Sequence, residues 1–304
     1  MRKSRRRAWL AALLVLFAGL GVVLTGCSGA RAAPSPPSVA APSAPSAPVA
    51  LATPATPAPS PSPTVAHVGN ATAAPSWLGT RVLPVGKNGV VPAQTTPPEL
   101  RDRSIVTVDD LPPPADGRFH ATSTPVPASV LARSSWTKAC PVASTDLRYL
   151  TVSFRGFDGQ AHTGELLVNK RAATDLISVF RQLFAANFPI ERMHISSAAQ
   201  LNAPPTGDGN TTESFACRPV RGQSSWSQHA YGLAVDVNPF QNPYQKGTVV
   251  LPELAASYLD RADKRPGMIL PGGPVDKAFT SIGWGWGGDY RSLKDYMHFS
   301  ESGG

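Results

Sequence analysis

From Ser28 to Pro75 the chain is mostly Ala, Pro, Ser and Thr, with 12 prolines and one charged residue, Arg31. Such a segment has too little apolar surface to offset the entropy of ordering it. Any core is therefore confined to the residues beyond Pro75. Pro-rich chain favours extended polyproline II at about 3.1 Å per residue, so this tether reaches as far as ~150 Å. Order is expected to begin near Trp77. Residues 76–134 stay rich in proline, with Pro97-Pro98 and Pro112-Pro113-Pro114, and read as an extended arm packed on a domain at 135–304.

Residues 1–27 read as an export leader. Arg2, Lys3, Arg5, Arg6 and Arg7 precede an uncharged run from Ala8 to Leu24. Leu24-Thr25-Gly26-Cys27 resembles the lipobox of bacterial lipoproteins, which implies lipidation of Cys27. A plain membrane anchor competes with this reading, but the run only just reaches spanning length. The expected location is the outer face of the bacterial cytoplasmic membrane, with the domain acting in the cell wall.

Five of the 28 Lys and Arg lie in that leader, leaving 23 against 20 Asp and Glu. The basic balance is thus largely a targeting property and gives little support to nucleic-acid binding. A monomer is expected. With Cys27 assigned to lipid, Cys140 and Cys217 remain, and an exported pair usually forms a disulfide. Closing a loop of that length stabilises by roughly 4 kcal/mol. Metal ligation is the alternative, but two widely separated cysteines lack paired zinc spacing.

Within the domain, Leu147–Phe154 and Gly164–Asn169 have strand composition, with Phe157-Asp158-Gly159 as turn chemistry between them. A helix is expected from Asp175 to about Asn187, capped by Thr174, because apolar residues recur from Leu176 to Phe184 at helical spacing. Ser214–Val220 and Leu233–Val237 read as further strands, Glu253–Asp260 as a short surface helix, and Lys277–Ile282 as a helical turn. The sum is an α+β domain with a small, mainly antiparallel sheet.

The chemistry lies in Ser227-Gln228-His229-Ala230-Tyr231-Gly232-Leu233-Ala234-Val235-Asp236 and in Asp295-Tyr296-Met297-His298-Phe299. Two imidazoles and a carboxylate are the parts of an open zinc site, with water in the fourth position. His229, Asp236 and His298 are the expected ligands and Asp295 the expected proton acceptor. Asp295 and His298 are three apart, so they face one metal only if the segment turns between them. His67, His120, His162 and His194 lack ligand-like neighbours and read as structural or exposed.

At these residues the chain resembles the VanY-like D-alanyl-D-alanine carboxypeptidases and L-alanoyl-D-glutamate endopeptidases, the LAS metallopeptidases of family M15. Their pattern Ser-x-His-x6-Asp followed by Asp/Glu-x-x-His is met by Ser227, His229, Asp236, Asp295 and His298. The resemblance extends through Phe215-Ala216-Cys217-Arg218, Asn238-Pro239 and Gly283–Gly288. Ser300 departs from it, since many relatives carry Glu there.

The resemblance implies a LAS/hedgehog-like fold with a zinc site in a cleft, cutting peptidoglycan stem peptides as a carboxypeptidase or an endopeptidase. Arg218 would stabilise the oxyanion or hold a substrate carboxylate, with a surface salt bridge as the competing role. Ser227 would orient a ligand. Tyr231, Trp284 and Trp286 would wall the cleft, although the tryptophans suit core packing equally well. A zinc-containing wall-binding domain without catalysis is the alternative, and Asp295 argues against it.

Overall fold

Strand β1 (Ala121–Pro125) forms the edge of a three-stranded antiparallel sheet completed by β2 (Leu147–Arg155) and β3 (Ala161–Asn169). The computed structural model describes residues 71–86 and 90–303. The leader, Cys27, His67 and most of the tether lie outside the described residues. Among the described residues no helix is long and apolar enough to cross a membrane.

β2 and β3 make a long hairpin in register from Leu147↔Asn169 to Arg155↔Ala161. Both faces are covered, which is why β3 carries a nearly continuous buried run. Leu150, Val152 and Phe154, two apart, face helix α2 across the main core, while Leu147 and Leu167 face Val130, Val142 and Phe215 on the other side. Val130 belongs to the short helix α1 (Ala128–Arg133).

Helix α2 runs Ala173–Ala185, two residues earlier at each end than the sequence pattern suggests. Its N-cap is Ala172 with no side-chain cap, so Thr174 lies inside the first turn. The helix ends because Asn187 takes a left-handed φ of 52° before Phe188-Pro189. Leu176, Val179, Phe180, Leu183 and Phe184 are all buried, each contributing about 1.5–3 kcal/mol relative to exposure.

Next come β4 (Arg192–Met193), α3 (Ala198–Leu201) and β5 (Thr211–Thr212), with β4 and β5 paired in parallel. The functional region uses β6 (Ala234–Asp236), the hairpin of β7 (Tyr244–Lys246) with β8 (Val249–Leu251), and helix α4 (Pro274–Thr280). It closes with β9 (Gly285–Trp286), β10 (Lys294–Asp295) and β11 (His298–Ser300). β11 is central in the sheet β6-β11-β9, and β10 joins β7 in a second sheet. The result is α+β, with small antiparallel sheets and few helices.

Two expected elements differ. Ser214–Val220 is not a strand: Glu213, just before it, pairs with Asp236, after which Ser214 turns its carbonyl to a histidine ring and Pro219 makes only an isolated bridge to Trp226. Glu253–Asp260 is not a surface helix but a 3-10 turn at Ala256–Leu259. Tyr258 and Leu254 are drawn into a second core with Leu100, Ile105 and Phe240, which holds the arm down. In the arm, Arg103 grips Glu191 through Nη2–Oε1 at 2.6 Å and Nε–Oε2 at 2.8 Å, both side chains buried. Thr72 already pairs with Ile105, so packed chain includes residues expected in the tether.

Candidate active site

Ser227 caps the 3-10 turn Gln228–Tyr231, its Oγ accepting from the His229 N–H at 3.3 Å. The turn closes at Gly232, whose φ of 68° suits glycine. A Cβ there would lie 2.6 Å from the Asn169 backbone nitrogen, so the turn docks directly on the end of β3. His229 is thereby held 2 % exposed. Its Nδ1 lies 2.6 Å from the Ser214 carbonyl and must donate there, leaving the Nε2 lone pair aimed inward.

Asp236 on β6 and His298 on β11 are directly opposed, so their side chains share a face. Asp236 Oδ1 is 2.9 Å from His298 Nδ1, and its Oδ2 is 3.3 Å from His229 Nε2. The two ring nitrogens are 3.2 Å apart. One ligand atom from each residue lies within 4.8 Å of the others. Burial alone would raise the Asp236 carboxyl, but the two imidazoles overcome that and hold it far below the usual range. Burial pulls the His229 imidazole down, and the Asp236 charge more than restores it. Two nitrogens and a carboxylate converging with one tautomer fixed from behind suit a divalent cation such as zinc.

The spacing of Asp295 and His298 is solved by a change of sheet. Asp295 pairs with Tyr244 of β7, and Tyr296-Met297 then carries the chain across to β11. The crossing is fixed by Trp286 Nε1 donating to the Tyr296 carbonyl at 2.8 Å and Val237 N to the Met297 carbonyl at 2.9 Å. Gly287 allows this approach, since a Cβ there would sit 2.5 Å from the Asp295 carbonyl oxygen. Asp295 Oδ1 is buried and accepts no hydrogen bond. Burial, then the negative charge of Asp236, pushes this carboxyl up to about 7.

Arg218 follows the Cys140–Cys217 disulfide, whose Cα atoms are 5.7 Å apart. Its Nη1 reaches only the neighbouring Pro219 carbonyl at 3.4 Å. Among the described residues no carboxylate forms a salt bridge with it, so the surface salt-bridge role does not hold. Its charge instead acts on His229, Glu213 and Asp295.

Trp284 and Trp286 do not wall a cleft. Both are buried in the main core, where Phe299 stacks on Phe279 at 4.1 Å with Trp286 beside it. Tyr231 packs against the same core. Ser300 is fully buried on β11 opposite Ala234 and Gly285. His120 pairs with Asp116 at the surface, and His162 lies between Asp109 and Asp158, away from the three ligands. His194 lines a separate cavity of about 480 Å³ with Arg133, Glu165, Arg192 and Asp110. There the arginines are already matched to the carboxylates, leaving little free charge for a ligand.

Glu213 escaped the sequence reading. It exchanges backbone hydrogen bonds with Asp236, N to O at 3.1 Å and 2.9 Å. His298, Asp236 and Glu213 therefore form one row across three adjacent segments. The available signal was a lone carboxylate in the β-prone Thr211-Thr212-Glu213, shortly before Cys217-Arg218.

Residues 221–301, which hold the three converging ligands and Asp295, match the family model described as D-alanyl-D-alanine carboxypeptidase. The match supports the M15 peptidase family for this segment. The M15 family is generally metal-dependent, in keeping with the three-residue donor set, and a peptidase acting on D-Ala-D-Ala-type substrates in general is the activity it supports. No curated protein and no solved structure matches the chain.

Proposed function

We propose that this protein is a zinc peptidase of the M15 type that cleaves the peptide stems of peptidoglycan, as a D-Ala-D-Ala carboxypeptidase or an L-Ala-D-Glu-type endopeptidase. One observation carries the reading: His229, Asp236 and His298 converge, while Asp295, a carboxylate with an unpartnered buried oxygen, lies close enough to feel the charges of Asp236 and His298. His229, Asp236 and His298 would hold a zinc ion that, when bound, would polarise the scissile carbonyl as a Lewis acid and lower the pKa of a water. Asp295 takes the proton from the attacking water and returns it to the leaving amine. Arg218, free of ion pairs, holds a substrate carboxylate or the developing oxyanion. Ser227 fixes the turn that presents His229.

The same reading puts the protein outside the cytoplasmic membrane, held by lipid on Cys27 and reaching the wall through the Pro-rich tether. Mass spectrometry of mature protein should show an acylated N-terminal Cys27, and an uncleaved leader contradicts that location. The deciding experiment incubates zinc-loaded protein with a stem pentapeptide. Release of D-alanine identifies a carboxypeptidase, and a new internal amine identifies an endopeptidase. Zinc binding with no cleavage of any stem peptide would replace this reading by a non-catalytic wall-binding domain.

A further inference from the structure

Glu213 shares the face of Asp236 and His298 by its place in the cross-strand row. Ser196 Oγ donates a hydrogen bond to its Oε2. No described group hydrogen-bonds to Oε1, and among the described residues no Lys, Arg or His forms a salt bridge with this carboxylate. Elsewhere in the fold, the buried carboxylates of Glu165 and Glu191 each meet an arginine. Glu213 is half-buried, and its free oxygen is not among the sealed, unpartnered oxygens of the fold. On the same site, Arg218 is a guanidinium without a carboxylate. An unpaired anion and an unpaired cation flanking one metal-ligand set suit a substrate that carries both charges.

We propose that Glu213 determines specificity by binding an ammonium group of the peptide substrate, with Ser196 anchoring one carboxylate oxygen and the other receiving the cation. This rests on the peptidase reading above. The ammonium belongs either to the peptide's N-terminus or to the side chain of a diamino acid. A charge-assisted hydrogen bond of this kind separates charged from neutral ligands by on the order of 10–100-fold.

The test uses four stem pentapeptides ending in D-Ala-D-Ala with lysine in third position: unmodified, acetylated on the α-amine, acetylated on the side chain, and acetylated on both. Acetylation removes the charge and keeps the chain. Wild type and Glu213→Gln are compared with zinc content measured in each. Wild type should lose about 10–100-fold in kcat/KM, mainly through KM, when the recognised amine is acetylated. Glu213→Gln should retain zinc, show that loss already on the free amine, and be indifferent to acetylation. The two singly acetylated peptides tell which amine is read. Calorimetric binding of the peptides to metal-free protein should show the same dependence on charge. An equal loss on all four peptides, no loss on any, or loss of zinc from Glu213→Gln overturns the proposal. If wild type cleaves none of them, the peptidase reading itself fails and takes this one with it.

Discussion

His298 lies directly across an antiparallel strand pair from Asp236, its Nδ1 2.9 Å from the carboxylate Oδ1. That register sets two of the three ligands, and the capped turn at Ser227–Gly232 adds the third from the same side. Each contribution can be removed separately.

Replacing His229 by Ala should abolish stoichiometric zinc, because two protein ligands rarely hold the metal against water. The hydrogen bond to the Ser214 carbonyl is lost as well, but it sits outside the main core, so the fold should persist. Metal analysis beside circular dichroism checks this. Full zinc retention in a folded variant contradicts the ligand set.

Asp295→Ala and Asp295→Asn should keep zinc and lower turnover by ~10²–10⁴-fold, the usual scale of general acid–base catalysis. The amide keeps the shape of the carboxylate but cannot accept the proton. Loss of zinc would make Asp295 a ligand. Retained zinc with full turnover would move the base elsewhere.

The metal-free protein should show a pH signature of the same residue. Asp295 titrates at about 7 in the fold, whereas an unfolded Asp titrates near pH ~4. The folded state thus holds a proton that the unfolded chain releases, and stability falls as pH rises across that window. Asp295→Asn lacks this penalty. It should be more stable than wild type at about pH 8, by at most ~4 kcal/mol, and no more stable below about pH 4. Urea unfolding of both metal-free proteins at the two pH values decides it. Bound metal adds positive charge and draws the Asp295 titration downward.

Much of this site is legible in the sequence because its residue types are rare together and flanked by turn formers. The hairpin is legible from its strand composition and helix α2 from its apolar spacing, although α2 starts at Ala173 with Ala172 at its N-cap and no side-chain cap, which places Thr174 inside the first turn. Less legible are features set by distant partners. Tyr258 is pulled inward by Phe240 and by the arm, which local propensity does not reveal. The tryptophans suit a cleft wall or a core equally well until Phe279 and Phe299 are seen stacked beside them. Glu213 acquires its place only through Asp236, 23 positions later in the chain.

The arm should be energetically coupled to the domain. Arg103→Ala leaves Glu191 buried without its guanidinium and should cost about 3–5 kcal/mol. Replacing both residues by Met should cost much less, because no charge is stranded. Chemical denaturation of the two variants gives the comparison, and an equal cost in both excludes a charge-based origin.

Replacing Cys140 and Cys217 by Ser should lower stability by ~2–5 kcal/mol. Arg218 is the next residue and loses its fixed starting point, so kcat/KM should fall while zinc stays bound. Melting temperature, zinc content and peptide cleavage are read together. Unchanged cleavage would show that Arg218 is positioned by other contacts.

The strand pair that joins Asp236 to His298 also governs when a metal can be captured. These ligands are 62 residues apart in the chain, and His229 is 69 from His298. An unfolded chain offers no such cluster, so a metal can be captured only once the sheet has closed. A polypeptide that crossed a membrane unfolded would cross it empty. The ion it finally holds would then be chosen by the supply where it folds, outside the reach of the cytoplasm's metal buffering.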